Sequence, residues 1–95
     1  MPSVTRLGDK CTGHGGFPPR ANDSASGDVF VNNIAVHRVG DHWPTHCQGS
    51  TCHDSTLAAG SGTVFVNNKP IGRIGDAIGC GSAIAGGSGD VFAGG

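Results

Sequence analysis

Apolar residues come in short bursts along this chain, and the bursts recur. Val29-Phe30-Val31 and Ile34-Ala35-Val36 flank Asn32-Asn33, while Val64-Phe65-Val66 and Lys69-Pro70-Ile71 flank Asn67-Asn68. β-Branched and aromatic residues suit a pleated strand. Asparagine tolerates the positive φ that a two-residue primed turn demands, so each block predicts a tight hairpin. Pro70 has no N–H, which predicts a second return strand that lies at an edge or starts pairing after the proline. A reduced third copy follows, Ser88-Gly89-Asp90-Val91-Phe92.

The bursts belong to a longer repeat. Ser26-Gly27-Asp28-Val29-Phe30-Val31-Asn32-Asn33 returns at Ser61 and again, shortened, at Ser88, offsets of 35 and 27 residues. A second element runs beside it: Arg6-Leu7-Gly8-Asp9, Arg38-Val39-Gly40-Asp41 and Arg73-Ile74-Gly75-Asp76, spaced by 32 and 35 residues. Three copies of each predict three lobes around a common axis with pseudo-threefold symmetry, in units of approximately 1–25, 26–60 and 61–95. Each Gly-Asp reads as a bend, and its aspartate as part of that bend. The segments Cys11 to Ala25, His42 to Ala59 and Ile78 to Gly87 read as long polar or glycine-rich connections, the usual place for a functional site.

Composition narrows the fold to the all-β class with little or no helix. There is no Glu, and there are two Leu against eight Val and five Ile. Gly and Pro together number 23 of 95 residues, near the level that marks disorder, but the repeat marks a built scaffold instead. At 95 residues the chain is expected to be one domain, with no fused effector, and too small to bury a self-sufficient core. The four Arg and two Lys are scattered singly and the net charge is −1, so no nucleic-acid footprint appears. The N-terminal MPSVTRLGDK lacks the apolar stretch of a secretory signal, and no run approaches the ~20 residues of a membrane span.

Four Cys and five His are many for this length, and without an export signal the mixture favours metal over disulfides. His14 follows Asp9 by five residues, His46 follows Asp41 by five, and Cys80 follows Asp76 by four. Three lobes thus present one imidazole or thiolate at nearly the same place, and His53 in the longest connection can supply a fourth ligand. Three imidazoles and one thiolate at His14, His46, His53 and Cys80 suit tetrahedral zinc, whose binding would staple a small glycine-rich core. His37 and His42 read as ordinary solvated histidines. Cys47 and Cys52 read as free thiols or a local disulfide, with ligation in place of His46 and His53 as the alternative. Cys11 is an alternative ligand that lies outside the shared spacing. Four protein ligands close the site, and a chain without Glu has no H-E-x-x-H or H-x-E base. No nucleophile elbow, Walker loop or dinucleotide loop is present. Asp54 is the remaining acid/base candidate, with orientation of His53 as its more ordinary role.

These phrases resemble the PAAR-repeat family over the whole chain. The resemblance is carried by Thr12-Gly13-His14-Gly15-Gly16, the Ser-Gly-x-Val-Phe-Val-Asn strands and Ile78-Gly79-Cys80-Gly81. Of the name motif only Ala35, Arg38, Pro70 and Arg73 survive. The resemblance implies a small conical β-structure with a zinc site of three His and one Cys near its apex. Its triangular base would sit on the blunt end of a trimeric β-helical spike, VgrG-like or from a phage tail, one copy per trimer. The implied role is a non-enzymatic tip of a contractile injection machine, in a phage tail baseplate or a bacterial type VI secretion system. Location follows: the virion tail tip, or the bacterial cytoplasm before ejection, with any effector cargo bound non-covalently. Two further readings are a small zinc hydrolase or nuclease delivered as a toxin, and a free-standing metal-binding module.

Overall fold

The computed structural model describes residues 1–95 as an all-β chain without helix, about 37 × 24 × 22 Å. Both Asn-Asn blocks form hairpins. β1 (Phe30–Val31) pairs with β2 (Ile34–Ala35), and Asn32 and Asn33 take φ of 55° and 64°. The second hairpin, formed further along the chain, repeats those φ values at Asn67 and Asn68.

Between them lies the largest departure from the sequence expectation. The segment read as a connection from His42 to Ala59 is a hairpin of β3 (His42–Gln48) and β4 (Thr51–Thr56), the longest strands in the protein. Its pattern was hidden because the alternating residues are Thr, His, Cys and Ser rather than apolar ones. Buried Trp43 and Leu57 anchor its open end, and a register shift between Trp43 and His46 falls where Pro44 offers no N–H.

β5 (Phe65–Val66) and β6 (Lys69–Pro70) make the second Asn-Asn hairpin. Pro70 sits opposite Phe65, and the next ladder bond is Ile71 N–H to Val64 C=O at 3.0 Å. An antiparallel ladder alternates bonded and non-bonded pairs. Pro70 therefore occupies a position that asks for no donor, and pairing continues through it.

The third copy finds its return strand at the other end of the chain. Ser3 pairs with Phe92, Val4 N–H donates to Val91 C=O at 2.9 Å, and Ala93 N–H donates to Pro2 C=O at 3.0 Å. These match Val36 N–H to Val29 C=O (3.0 Å) and the Ile71–Val64 bond. The two Asn-Asn hairpins and the paired chain ends then lock in a ring. Asn32 Nδ2 donates to Asp90 Oδ1 (2.8 Å) and Asn67 Nδ2 to Asp28 Oδ1 (2.9 Å), while Gly94 C=O accepts from Ser61 Oγ (2.5 Å). The first hairpin thus holds the paired ends, the second hairpin holds the first, and the paired ends hold the second hairpin.

Two apolar clusters fill the interior. Val4, Val36, Val66, Ile71 and Ala93 lie inside the ring of hairpins, and Cys11, Trp43, Leu57, Ile78 and Ile84 lie toward the β3–β4 hairpin. The residues that follow Val4, Val36 and Ile71 close a triangle of backbone bonds between the clusters. Thr5 N–H donates to Gly72 C=O (2.9 Å), Gly72 N–H to His37 C=O (2.9 Å), and His37 N–H to Thr5 C=O (3.2 Å). A Cβ on Gly72 would meet Leu57 Cδ2 at 2.8 Å, so the third member of this triangle has no room for a side chain.

The Gly-Asp aspartates do more than mark bends. In each, one carboxylate oxygen accepts the backbone N–H and Nε of the arginine three residues earlier, as Asp41 Oδ2 does from Arg38 at 2.9 Å each. Asp9 and Asp76 hold Arg6 and Arg73 in the same way. His37 also departs from its reading as a solvated group: it is fully buried, its Nδ1 donates to Ser24 C=O at 2.8 Å, and its ring meets Trp43 edge-on at 5.1 Å. Burial pushes its pKa below the ordinary histidine value.

Candidate metal centre

Three separate segments bring four donor atoms together. His14 stands on a tight loop closed by His14 N–H to Phe17 C=O (3.1 Å) and Phe17 N–H to His14 C=O (2.8 Å). Gly13 opens that loop at φ 72°, where a Cβ would lie 2.5 Å from Phe17 O, so only glycine fits. His46 on β3 and His53 on β4 are directly opposed and share one face of the hairpin. Cys80 rides a turn closed by Gly81 N–H to Ile78 C=O (3.0 Å) and Ile78 N–H to Ser82 C=O (2.9 Å).

The ligand atoms of His14, His46, His53 and Cys80 all lie within 4.8 Å of one another. His53 Nε2 is 3.1 Å from His14 Nε2 and 2.6 Å from His46 Nε2. His46 Nδ1 donates to Pro18 C=O at 2.9 Å, which leaves its Nε2 as a bare lone pair aimed inward. One proton on His53 Nε2 can serve only one neighbour, so two imidazole lone pairs would otherwise face each other. A cation removes that repulsion. Two nitrogens bound at 2.0–2.1 Å in a tetrahedron lie roughly 3.3 Å apart, close to the 3.1 Å between His14 and His53 and wider than the 2.6 Å between His46 and His53. The donor set therefore fits a divalent metal with nitrogen and sulfur preference.

Electrostatics agree with this placement. Loss of solvent, then the neighbouring His46 and His14, push His53 below the ordinary histidine pKa, toward the neutral form that ligates. Phe17 caps the imidazoles, with ring centres 4.7 Å from His14, 4.9 Å from His46 and 4.3 Å from His53. An apolar cap limits water at the donors.

The neighbouring groups separate from the cluster. Cys47 and Cys52, one pair nearer the turn than His46 and His53, form a disulfide across the strands with Cα atoms 4.1 Å apart. Alternation along a strand turns them to the opposite face, so they are not ligands. Cys11 is buried, free and outside the set. Asp54 does not orient His53. Its Oδ2 holds His42 Nε2 at 2.8 Å, and Asp23 Oδ1 holds His42 Nδ1 at 2.8 Å. His42 is thus exposed but pinned between two carboxylates, which raise its pKa, Asp54 foremost. Phe17 and the carbonyl of Pro18 were missed by reasoning from sequence; their only signal was closeness to His14.

No helix of the chain is long and apolar enough to cross a membrane. A small all-β chain whose loops and one hairpin deliver three imidazoles and a thiolate to a single point defines a β-structure with a site that could hold a metal ion. The particular family follows from the sequence match. Residues 7–86 match the PAAR motif, and the chain belongs to that family, which is associated with spike-tip proteins of contractile injection systems. No curated protein matches the sequence.

Proposed function

We propose that this chain is the tip of a contractile injection spike, in a phage tail or a type VI secretion system. It seats one copy per trimeric β-helical spike and is stiffened by one structural zinc at His14, His46, His53 and Cys80. The observation that carries the reading is the ring of hairpins. Phe30, Phe65 and Phe92 occupy matching positions in the two Asn-Asn hairpins and in the paired chain ends, and stay 57, 55 and 50% exposed. Three matching apolar patches on one chain suit the end of a trimer, where one asymmetric patch would satisfy only one subunit. Family membership supports the same partner.

Zinc would supply a fixed crosslink between segments that otherwise share few ladder bonds. Four protein donors leave no open position at a tetrahedral ion, and the one nearby carboxylate, Asp54, is already engaged by His42. A mechanical role follows: a tip driven into an envelope must not buckle.

Native mass measurement of the chain mixed with a candidate β-helical spike trimer tests the seating. One chain per trimer is expected, and Phe30→Asp with Phe65→Asp should abolish it. A free, metal-loaded chain beside an intact trimer refutes the seating. Elemental analysis should find one zinc per chain, and a strong chelator should lower the melting temperature. A metal-free preparation with an unchanged melt refutes the staple.

A further inference from the structure

Three of the four arginines are matched by a carboxylate. Arg6, Arg38 and Arg73 bind Asp9, Asp41 and Asp76 at 2.9–3.0 Å. Arg20 is different. It is 8% exposed and makes no carboxylate ion pair, although Asp23 stands three residues on and is taken by His42. Its Nε donates to Pro44 C=O, its Nη1 lies 3.4 Å from Cys11 Sγ, and its Nη2 lies 3.6 Å from Cys80 Sγ. The guanidinium carbon sits 5.7 Å from the Trp43 ring centre. A buried guanidinium requires a compensating anion, and the group it reaches that carries negative charge when metal is bound is the Cys80 thiolate.

We infer that Arg20 is a positioning residue of the metal centre, donating an N–H···S bond that fixes the Cys80 thiolate and stabilises its charge. This rests on the metal reading above. Cys11 and Pro44 hold the fork in place: the Cys11 sulfur also accepts the Arg20 backbone N–H at 3.4 Å, and Cys11 N–H donates to Arg20 C=O at 2.9 Å. The same loop orients a second ligand, since Pro18 C=O takes His46 Nδ1. Residues 18–20 thereby set two of the four donors from outside the coordination shell, the arrangement by which outer partners tune metal sites.

Cobalt(II) substituted into the full chain reads the bond directly, because an N–H donor lowers the energy of the sulfur lone pairs. Arg20→Gln should move the thiolate-to-cobalt charge-transfer band to longer wavelength and weaken cobalt affinity by roughly 10–100-fold. Arg20→Lys keeps a cation but not the fork, so a smaller shift in the same direction is expected. Arg20→Lys carries the test alone if Arg20→Gln does not fold. Trp43→Phe, which alters packing around the guanidinium but keeps its donors, should leave the band in place. A wild-type chain with no thiolate-to-cobalt band overturns the metal centre and this inference together. A wild-type band that the folded Arg20 variants leave unmoved overturns this inference alone.

Discussion

Replacing Asp41 by Ala should be the most damaging of the three equivalent aspartate truncations. Asp41 Oδ2 accepts Arg38 N–H and Nε at 2.9 Å each, and Oδ1 accepts Arg38 Nη2 at 2.9 Å and Ser24 Oγ at 3.2 Å. Burial pushes the Asp41 carboxyl up, but the side-chain and backbone hydrogen bonds of Arg38 outweigh it and hold the carboxyl below its ordinary value. In the variant, Arg38 keeps only Asn67 Oδ1 at 2.9 Å, and its backbone N–H has no acceptor. Breaking a buried pair by removing one partner costs about 3–5 kcal/mol. The Arg38 side chain retains some exposure, which places the expected loss near the lower bound, about 3 kcal/mol. For a domain of this size that is a melting temperature lower by roughly 12–24 °C.

The ranking follows from exposure of the acid. The Asp41 side chain is 5% exposed, Asp76 11% and Asp9 18%, so Asp9→Ala should cost least. A partly exposed pair is worth up to about 1 kcal/mol and an orphaned N–H another 1–3; with Asp9 the most exposed of the three acids, both fall toward their lower ends, and Asp9→Ala should cost about 2 kcal/mol. Thermal unfolding of the zinc-saturated variants, followed by circular dichroism at pH 7, measures all three. An Asp41→Ala melting temperature equal to or above that of Asp9→Ala refutes the reasoning, because it means the buried clamp holds no more than the partly exposed one.

Two further outcomes are expected. Reduction of the Cys47–Cys52 disulfide closes no long loop, with a separation of five residues, yet should cost about 2 kcal/mol and weaken metal binding by loosening the adjacent His46–His53 pair; a melt unaffected by dithiothreitol would count against it. His42 has a folded pKa raised above its unfolded value by Asp54 and Asp23, so its stabilisation is fully present below about pH 6.5 and is lost as pH rises through the folded pKa. His42→Gln should therefore lower stability at pH 6 by less than about 1 kcal/mol, since the group is well exposed, and leave it unchanged at pH 9; a loss of equal size at both pH values would refute the charge origin.

What could be read from the sequence depended on how far away each residue's partner lies. The Asn-Asn hairpins are local: β1 with β2 and β5 with β6 follow from a handful of adjacent residues and the φ that Asn accepts. Three of the four clustered residues were legible for another reason: the repeat supplied a ruler that placed His14, His46 and Cys80 at nearly matching distances from their Gly-Asp turns, whereas His53 had only its place in the longest connection. The β3–β4 hairpin escaped because its two faces are both polar, one carrying the ligands and the other the disulfide, so no apolar alternation advertised it. His37 escaped because its burial comes from the backbone triangle with Thr5 and Gly72, residues 32 and 35 positions away. Pro2–Val4 belongs with it, its partner strand Val91–Ala93 lying at the far end of the chain.

The same division separates the two ends of the molecule physically. The ring of hairpins is held by bonds the repeat makes three times over: the Arg-Asp clamps and the locks between neighbouring units. Around the second cluster the packing does not repeat. Trp43, Leu57 and Ile84 are packed by one irregular hairpin and two loops, and the links there are each of a different kind: a disulfide, a fork from Arg20, and four converging donors. Repetition gives the ring three like bonds, whereas the donor cluster gathers three imidazoles and one thiolate from unlike segments. Loss of metal should therefore loosen the Cys11–Trp43–Leu57–Ile78–Ile84 cluster first and leave the Val4–Val36–Ile71 ring standing. Hydrogen exchange of the chelated chain would show it as lost protection at Gly79 and Gly81 with retained protection at Thr5, His37 and Gly72. Uniform loss across both sets would mean that the two clusters fold as one unit.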